Sequence, residues 1–156
     1  MQYLSLIKKI LKKGYWENTR NGKVKTLLGQ NMRYSLTNNK IPIITTKKMA
    51  WRVCLKELLW FMNGSTNNEI LQKQNVNIWN ANASRKFLDS RGLYNLKEND
   101  LGPIYGHQWR HWNAKYSDFN ENYKNKGIDQ LNNVINDLKN KNFSRRMIMT
   151  AWNPEQ

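Results

Sequence analysis

A chain of 156 residues has room for one domain, and 39% apolar residues against 24% charged give it material for a core. The charge is lopsided: 26 Lys and Arg against 11 Asp and Glu leave a formal net charge of +15, which points to anionic partners, small polyanions or nucleic acid. The single cysteine excludes an internal disulfide, the two histidines argue against a zinc site, and no apolar run reaches membrane length.

Tyr3, Leu4, Ile7, Ile10 and Leu11 recur at helical spacing, with Lys8, Lys9, Lys12 and Lys13 between or beyond them and Gly14 placed to end the helix. Glu17 to Gly22 has loop composition, and Asn21-Gly22 is a turn signal. Lys23 to Leu36 and Ile41-Pro42-Ile43-Ile44 read as extended strands, the second at an edge or an end because of its proline. Arg20 stands just before the first strand. On its own it reads as a surface charge.

Met49 to Met62 is predicted to form the main buried helix, with Trp51, Cys54, Leu55, Leu58, Leu59 and Met62 on one wide apolar face. Cys54, inside that face, reads as an inert structural thiol. Glu57 differs from its neighbours on the helix. The residues one turn away are Val53, Cys54, Trp60 and Phe61, none of them charged. A carboxylate boxed in this way is expected to be desolvated, which raises its pKa and suits it to hold or pass a proton near neutrality. A buried glutamate paired with a lysine or arginine is the alternative.

Thr66 and Glu69 have the spacing of a capping box opening a short helix to Gln72. Ser84 to Asp89 reads as another short helix ended by Gly92. Ile128, Leu131, Ile135 and Leu138 mark a further amphipathic helix. Met147 to Trp152, after Arg145-Arg146, is a continuous apolar run expected to be a buried strand. Adjacent arginines can offer paired donors to a phosphate, or flank a strand as solvated charge.

Asp100 to Trp112 (Asp-Leu-Gly-Pro-Ile-Tyr-Gly-His-Gln-Trp-Arg-His-Trp) is the densest stretch. Gly102-Pro103 is a turn signal, and proline suits the first position of a helix. Gly106 gives up about 1 kcal/mol of helix propensity, which implies a close approach there. His107 and His111 have zinc-ligand spacing with no third ligand in evidence, so they read as structural or exposed.

This stretch resembles the "DLGPVYG-QWR" signature of thymidylate synthases, closest to the eukaryotic type. Glu57-Leu58-Leu59-Trp60-Phe61 resembles the family's "ELLWF", and Ile78-Trp79-Asn80-Ala81-Asn82 its "IWDAN", with Asn80 where aspartate is usual and Ala50 replacing a larger residue. The likeness runs from the first helix to Asn153. Residues 1–156 are accordingly read as the N-terminal part of one such domain, stopping before the Pro-Pro-Cys-His-type loop that carries the family's nucleophile.

The resemblance implies an α/β (α+β) fold, a mixed sheet flanked by helices and incomplete at the C-terminus, in a cytoplasmic homodimer. It implies reductive methylation of dUMP to dTMP with 5,10-methylenetetrahydrofolate as cosubstrate and no metal. Glu57 and Tyr105 would handle protons and ordered water. Ile78, Trp79 and Asn82 would hold the folate. Arg20, Arg145 and Arg146 would hold the nucleotide phosphate, the pair reaching into the partner's site. Arg20 stands in a loop one residue shorter than the family's. The basic surface suits a polyglutamylated folate tail. Without its nucleophile the isolated chain is expected to be inactive. An inactive fragment, a split-gene half needing a second polypeptide, and a basic nucleic-acid-binding protein are the other readings.

Overall fold

The computed structural model describes residues 2–20, 22–140 and 143–154, so Asn21 of the Asn-Gly turn lies outside the described residues. The chain divides into two compact units, Met1–Met49 and Ala50–Gln156.

In the first unit, α1 (Gln2–Lys13) is followed by an antiparallel hairpin of β1 (Tyr15–Thr19) and β2 (Gly22–Thr26), with Tyr15 opposite Thr26 and Thr19 opposite Gly22. Gly14 ends α1 because nothing larger fits. A Cβ there would lie 2.6 Å from the Ile10 carbonyl oxygen and 2.9 Å from that of Thr26. The hairpin corrects the strand reading in two ways. Residues 15–19, assigned largely to loop, pair as a strand. The extended reading of residues 23–36 survives only to Thr26, and Ile41 to Ile44 is irregular chain. Strands exist by pairing, and composition alone does not supply the partner.

The second unit holds α2 (Trp51–Met62), α3 (Asn68–Gln72), α4 (Arg85–Ser90), α5 (Tyr105–His111) and α6 (Gln130–Asn140). Its core gathers Trp60, Phe61, Leu71, Val76, Ala83 and Leu101, with Val53, Trp79, Ile104 and Trp109 packed against it. The helices and the hairpin together give the α/β class expected; among the described residues the sheet is β1-β2.

The side of α2 that is buried is not the one predicted. Trp60 and Phe61 are buried, while Trp51, Leu55, Leu58 and Leu59 are each 45–49% exposed. Cys54 is exposed as well, which corrects its assignment as a buried thiol. The reason is that α2 docks on α5 through the Phe61–Gly64 end. A Cβ on Gly106 would meet the Ser65 oxygen at 2.9 Å and the Phe61 oxygen at 3.1 Å, the close approach its glycine implied. Pro103 stands two residues before α5, and Ile104 is the N-cap.

The cap of α3 is also displaced by one residue. Asn67 accepts from the Glu69 backbone N–H at 2.9 Å. Thr66 is buried and its hydroxyl bonds that of Tyr116 at 2.7 Å. Met147 to Trp152 is irregular instead of a buried strand, with Ile148 71% and Trp152 89% exposed.

Candidate active site

Glu57 and Phe61 are four apart on α2 and therefore share a face. Trp79 comes to that face from the turns after α3. Its indole N–H donates to Glu57 Oε1 at 2.7 Å. Phe61 forms the floor, lying edge-on to Trp79 at 6.3 Å, to Tyr105 at 5.2 Å and to Trp109 at 5.7 Å between ring centroids. Tyr105, the first residue of α5, is 6.2 Å from Trp79. Edge and tilted contacts of this kind stabilise by about 0.5–1.5 kcal/mol each beyond area burial. Three residues singled out in the sequence, Glu57, Trp79 and Tyr105, thus meet around one phenylalanine.

Glu57 is half-buried, not boxed in as its helix neighbours suggested, because the Leu58 and Leu59 side of the helix stays open. Among the described residues no lysine or arginine forms an ion pair with it; the partner seen is the indole. Ile78 is 52% exposed beside Trp79, and Asn82 is half-buried in the same run of turns.

An amide cluster pins these turns. Asn80 Oδ1 accepts from Asn68 Nδ2 and from Gln72 Nε2, both at 3.0 Å, and Asn80 Nδ2 donates to Asn77 Oδ1 at 3.3 Å. The amide at position 80 is therefore used in both senses. A carboxylate there would face the Asn77 oxygen without a proton to offer.

Asp100 is fully buried, and its carboxylate is satisfied without a cation. Tyr116 donates to Oδ1 at 2.6 Å, the Gly102 N–H to Oδ1 at 2.9 Å and the Phe119 N–H to Oδ2 at 3.2 Å. Burial and then the bond to Asp100 push the Tyr116 hydroxyl pKa well up, so it stays a donor. Behind it, His107 is 1% exposed and its Nε2 faces the Ala114 carbonyl at 3.1 Å, which assigns the proton to Nε2. Its ring is edge-on to Tyr116 and Tyr123. Burial holds the pKa of His107 down, opposed by the Ala114 contact and aided by the nearby His111. Both histidines are structural. Among the described residues no group of His, Cys, Asp and Glu is placed to hold a metal.

Arg110 joins three helices. It makes a two-point contact with Asp129, Nε to Oδ1 at 3.0 Å and a terminal nitrogen to Oδ2 at 2.8 Å, and donates to the Met62 carbonyl at 2.6 Å. Asp100, Arg110 and Asp129 were not singled out individually by sequence. Asp100 had a readable signal, since an aspartate two before glycine can bond that residue's N–H.

The arginines are distant from Glu57 in sequence. Arg145 and Arg146 are exposed on the irregular segment after α6, and the Arg146 N–H donates to Ser144 Oγ at 3.2 Å. Arg146 borders a cavity of about 610 Å³ shared with Gln130, Asp137 and Thr150. Arg20 belongs to the other unit. It occupies the turn between β1 and β2, not the approach to the first strand, and is exposed.

The family model for thymidylate synthase matches residues 1–156. The chain belongs to the thymidylate synthase family. It is 49% identical over 154 residues to a bifunctional dihydrofolate reductase-thymidylate synthase of Daucus carota, covering 97% of this chain and 29% of the relative. It is 46% identical over 154 residues to the protein of that name from Leishmania major, covering 98% and 30%. It is 48% identical over 155 residues to a "Probable thymidylate synthase" of Schizosaccharomyces pombe, covering 98% and 25%. The chain thus spans about a third or less of the length of these curated relatives. No helix among the described residues is long and apolar enough to cross a membrane.

Proposed function

We propose that this chain supplies part of the active site of a thymidylate synthase, which converts dUMP to dTMP with 5,10-methylenetetrahydrofolate. The observation that carries this reading is the meeting of Glu57, Trp79 and Tyr105 over Phe61.

Glu57 is held at one oxygen by the Trp79 N–H, which leaves its second oxygen to order water and move a proton at the pyrimidine. Tyr105, 47% exposed and with its ring 6.2 Å from that of Trp79, offers a hydroxyl that can donate and accept. The residues fit a flat heterocycle: exposed Ile78 and half-buried Trp79 offer an apolar surface, and Asn82 an amide for its edge. The folate brings the one-carbon unit and the hydride; the chain's part is to seat it and exclude water.

Arg20, Arg145 and Arg146 are assigned to the nucleotide phosphate, the pair acting across a cytoplasmic homodimer. The attacking thiol is assigned to the family's Pro-Pro-Cys-His-type loop on a second polypeptide, since covalent catalysis needs a nucleophile and Cys54, exposed on α2, does not stand in such a loop. A reductase domain is a further partner of the assembled protein, as the names of the relatives suggest.

The test is complementation. The chain alone, given dUMP and methylenetetrahydrofolate, forms no dihydrofolate. Joined by a polypeptide carrying the family's cysteine loop, it does, and Glu57→Gln lowers that rate by about a hundredfold. Full activity of the Glu57→Gln complex contradicts the reading.

A further inference from the structure

Gln130 opens α6, and the residue before it is fixed twice. Asp129 caps the helix, accepting from the Asn132 N–H at 2.9 Å, and takes the two-point contact from Arg110 of α5. From that anchored position the Gln130 side chain makes three hydrogen bonds. Nε2 donates to the Gln108 carbonyl and to the Thr150 carbonyl, each at 2.8 Å. Oε1 accepts from the Thr150 N–H at 3.0 Å. The amide orientation is fixed by this set. Reversed, it would set oxygen against two carbonyls and nitrogen against an N–H.

One side chain thus pairs both backbone groups of Thr150, as a neighbouring strand would, and ties them to α5. The segment it holds runs from Met147 to Trp152. Ile148 and Trp152 are 71% and 89% exposed, so apolar burial does not pin it there. Four residues upstream of Thr150 stands Arg146, bordering the same cavity as Gln130. Three residues before Gln108 on the same helix stands Tyr105.

We infer that Gln130 is a positioning residue: its carboxamide holds the segment carrying Arg145 and Arg146 in register with the helix that presents Tyr105. This rests on the proposed phosphate role of the arginine pair. Without the carboxamide, the arginines spend more of their time away from the geometry that meets a phosphate, and affinity falls although neither charge is lost.

Gln130→Glu tests it with almost no change in size. The carboxylate offers no donor to the two carbonyls. Two measurements are needed: hydrogen exchange of the Thr150 amide in the full chain, and dUMP affinity by titration calorimetry of the chain joined by the polypeptide that carries the cysteine loop. Gln130→Glu is expected to speed Thr150 exchange and weaken dUMP binding about tenfold. The ratio of its dissociation constant to that of the unaltered protein should shrink from about pH 7 to about pH 4, as the carboxyl regains a proton to donate. A merely structural role lowers stability and leaves the dUMP affinity of the folded protein unchanged.

Arg146→Ala separates the two readings. If it weakens dUMP binding and Gln130→Glu does not, the positioning role is overturned and the phosphate reading stands. If Arg146→Ala leaves affinity unchanged, or the unaltered complex binds no dUMP, the phosphate reading fails and the positioning role falls with it, whatever Thr150 exchange shows.

Discussion

The indole N–H of Trp79 meets Oε1 of Glu57 at 2.7 Å, joining a turn after α3 to the middle of α2. This bond fixes which carboxylate oxygen is engaged and which is left to other partners. A hydrogen bond to a charged acceptor is worth about 1.5–3 kcal/mol when well buried, and less where water can replace it. Glu57 is half-buried. Trp79→Phe is expected to cost about 1 kcal/mol through this bond, beyond the smaller ring. A double-mutant cycle with Glu57→Ala, read from urea midpoints, should return a coupling energy of that size. Zero coupling means the bond is not formed in solution.

At Gly106 two effects oppose. Alanine improves helix propensity by about 1 kcal/mol. Its Cβ, however, would stand 2.9 Å from the Ser65 oxygen and 3.1 Å from the Phe61 oxygen, both backbone atoms that move only with the chain. Overpacking of this sort costs about 1–3 kcal/mol. Gly106→Ala should therefore lower the melting temperature by several degrees. An unchanged or higher value means α5 is not seated this closely on the end of α2.

Acid should weaken the fold through His107 and His111. Burial is the leading cause lowering both pKa values from 6.5. Above about pH 6.5 the imidazoles are neutral folded or unfolded, and the full stability is present. As pH falls, the unfolded chain takes protons first, so stability drains away until the folded-state groups also protonate. The urea midpoint should drop between about pH 7 and about pH 5. His107→Gln, whose amide can still donate to the Ala114 carbonyl, should flatten that slope. An equal slope in the variant assigns the loss to other groups.

Cys54 is exposed on α2, against the inert buried thiol its sequence context suggested. Thiol reactivity requires access as well as thiolate. One thiol per chain should react with an aromatic disulfide reagent without denaturant, at a rate within about tenfold of a free cysteine peptide. Labelling that appears only on unfolding shows that α2 is covered in solution.

Much of the local structure was legible in order along the chain: α1 from its apolar spacing, α4 from Ser84, and the tight seat of Gly106 from the cost of a glycine inside a helix. These depend on short-range backbone and side-chain rules, which a linear string carries in full. The motif residues Glu57, Trp79 and Tyr105 were likewise readable as a set, though not their contacts.

What only the tertiary structure decided were choices between equally hydrophobic or equally polar alternatives. Periodicity marks an apolar face on α2 but not which part of it finds a neighbour, so Phe61 went inside and Leu58 did not. Residues 147–152 have strand composition, yet hydrogen-bond partners for a strand come from elsewhere in the chain, and here a glutamine side chain takes that place. Asp100 and Arg110 are charged residues whose burial depends on donors and acceptors up to 48 positions away in the chain. Pairing over such distances is set by the packing of helices, which a sequence read locally does not contain.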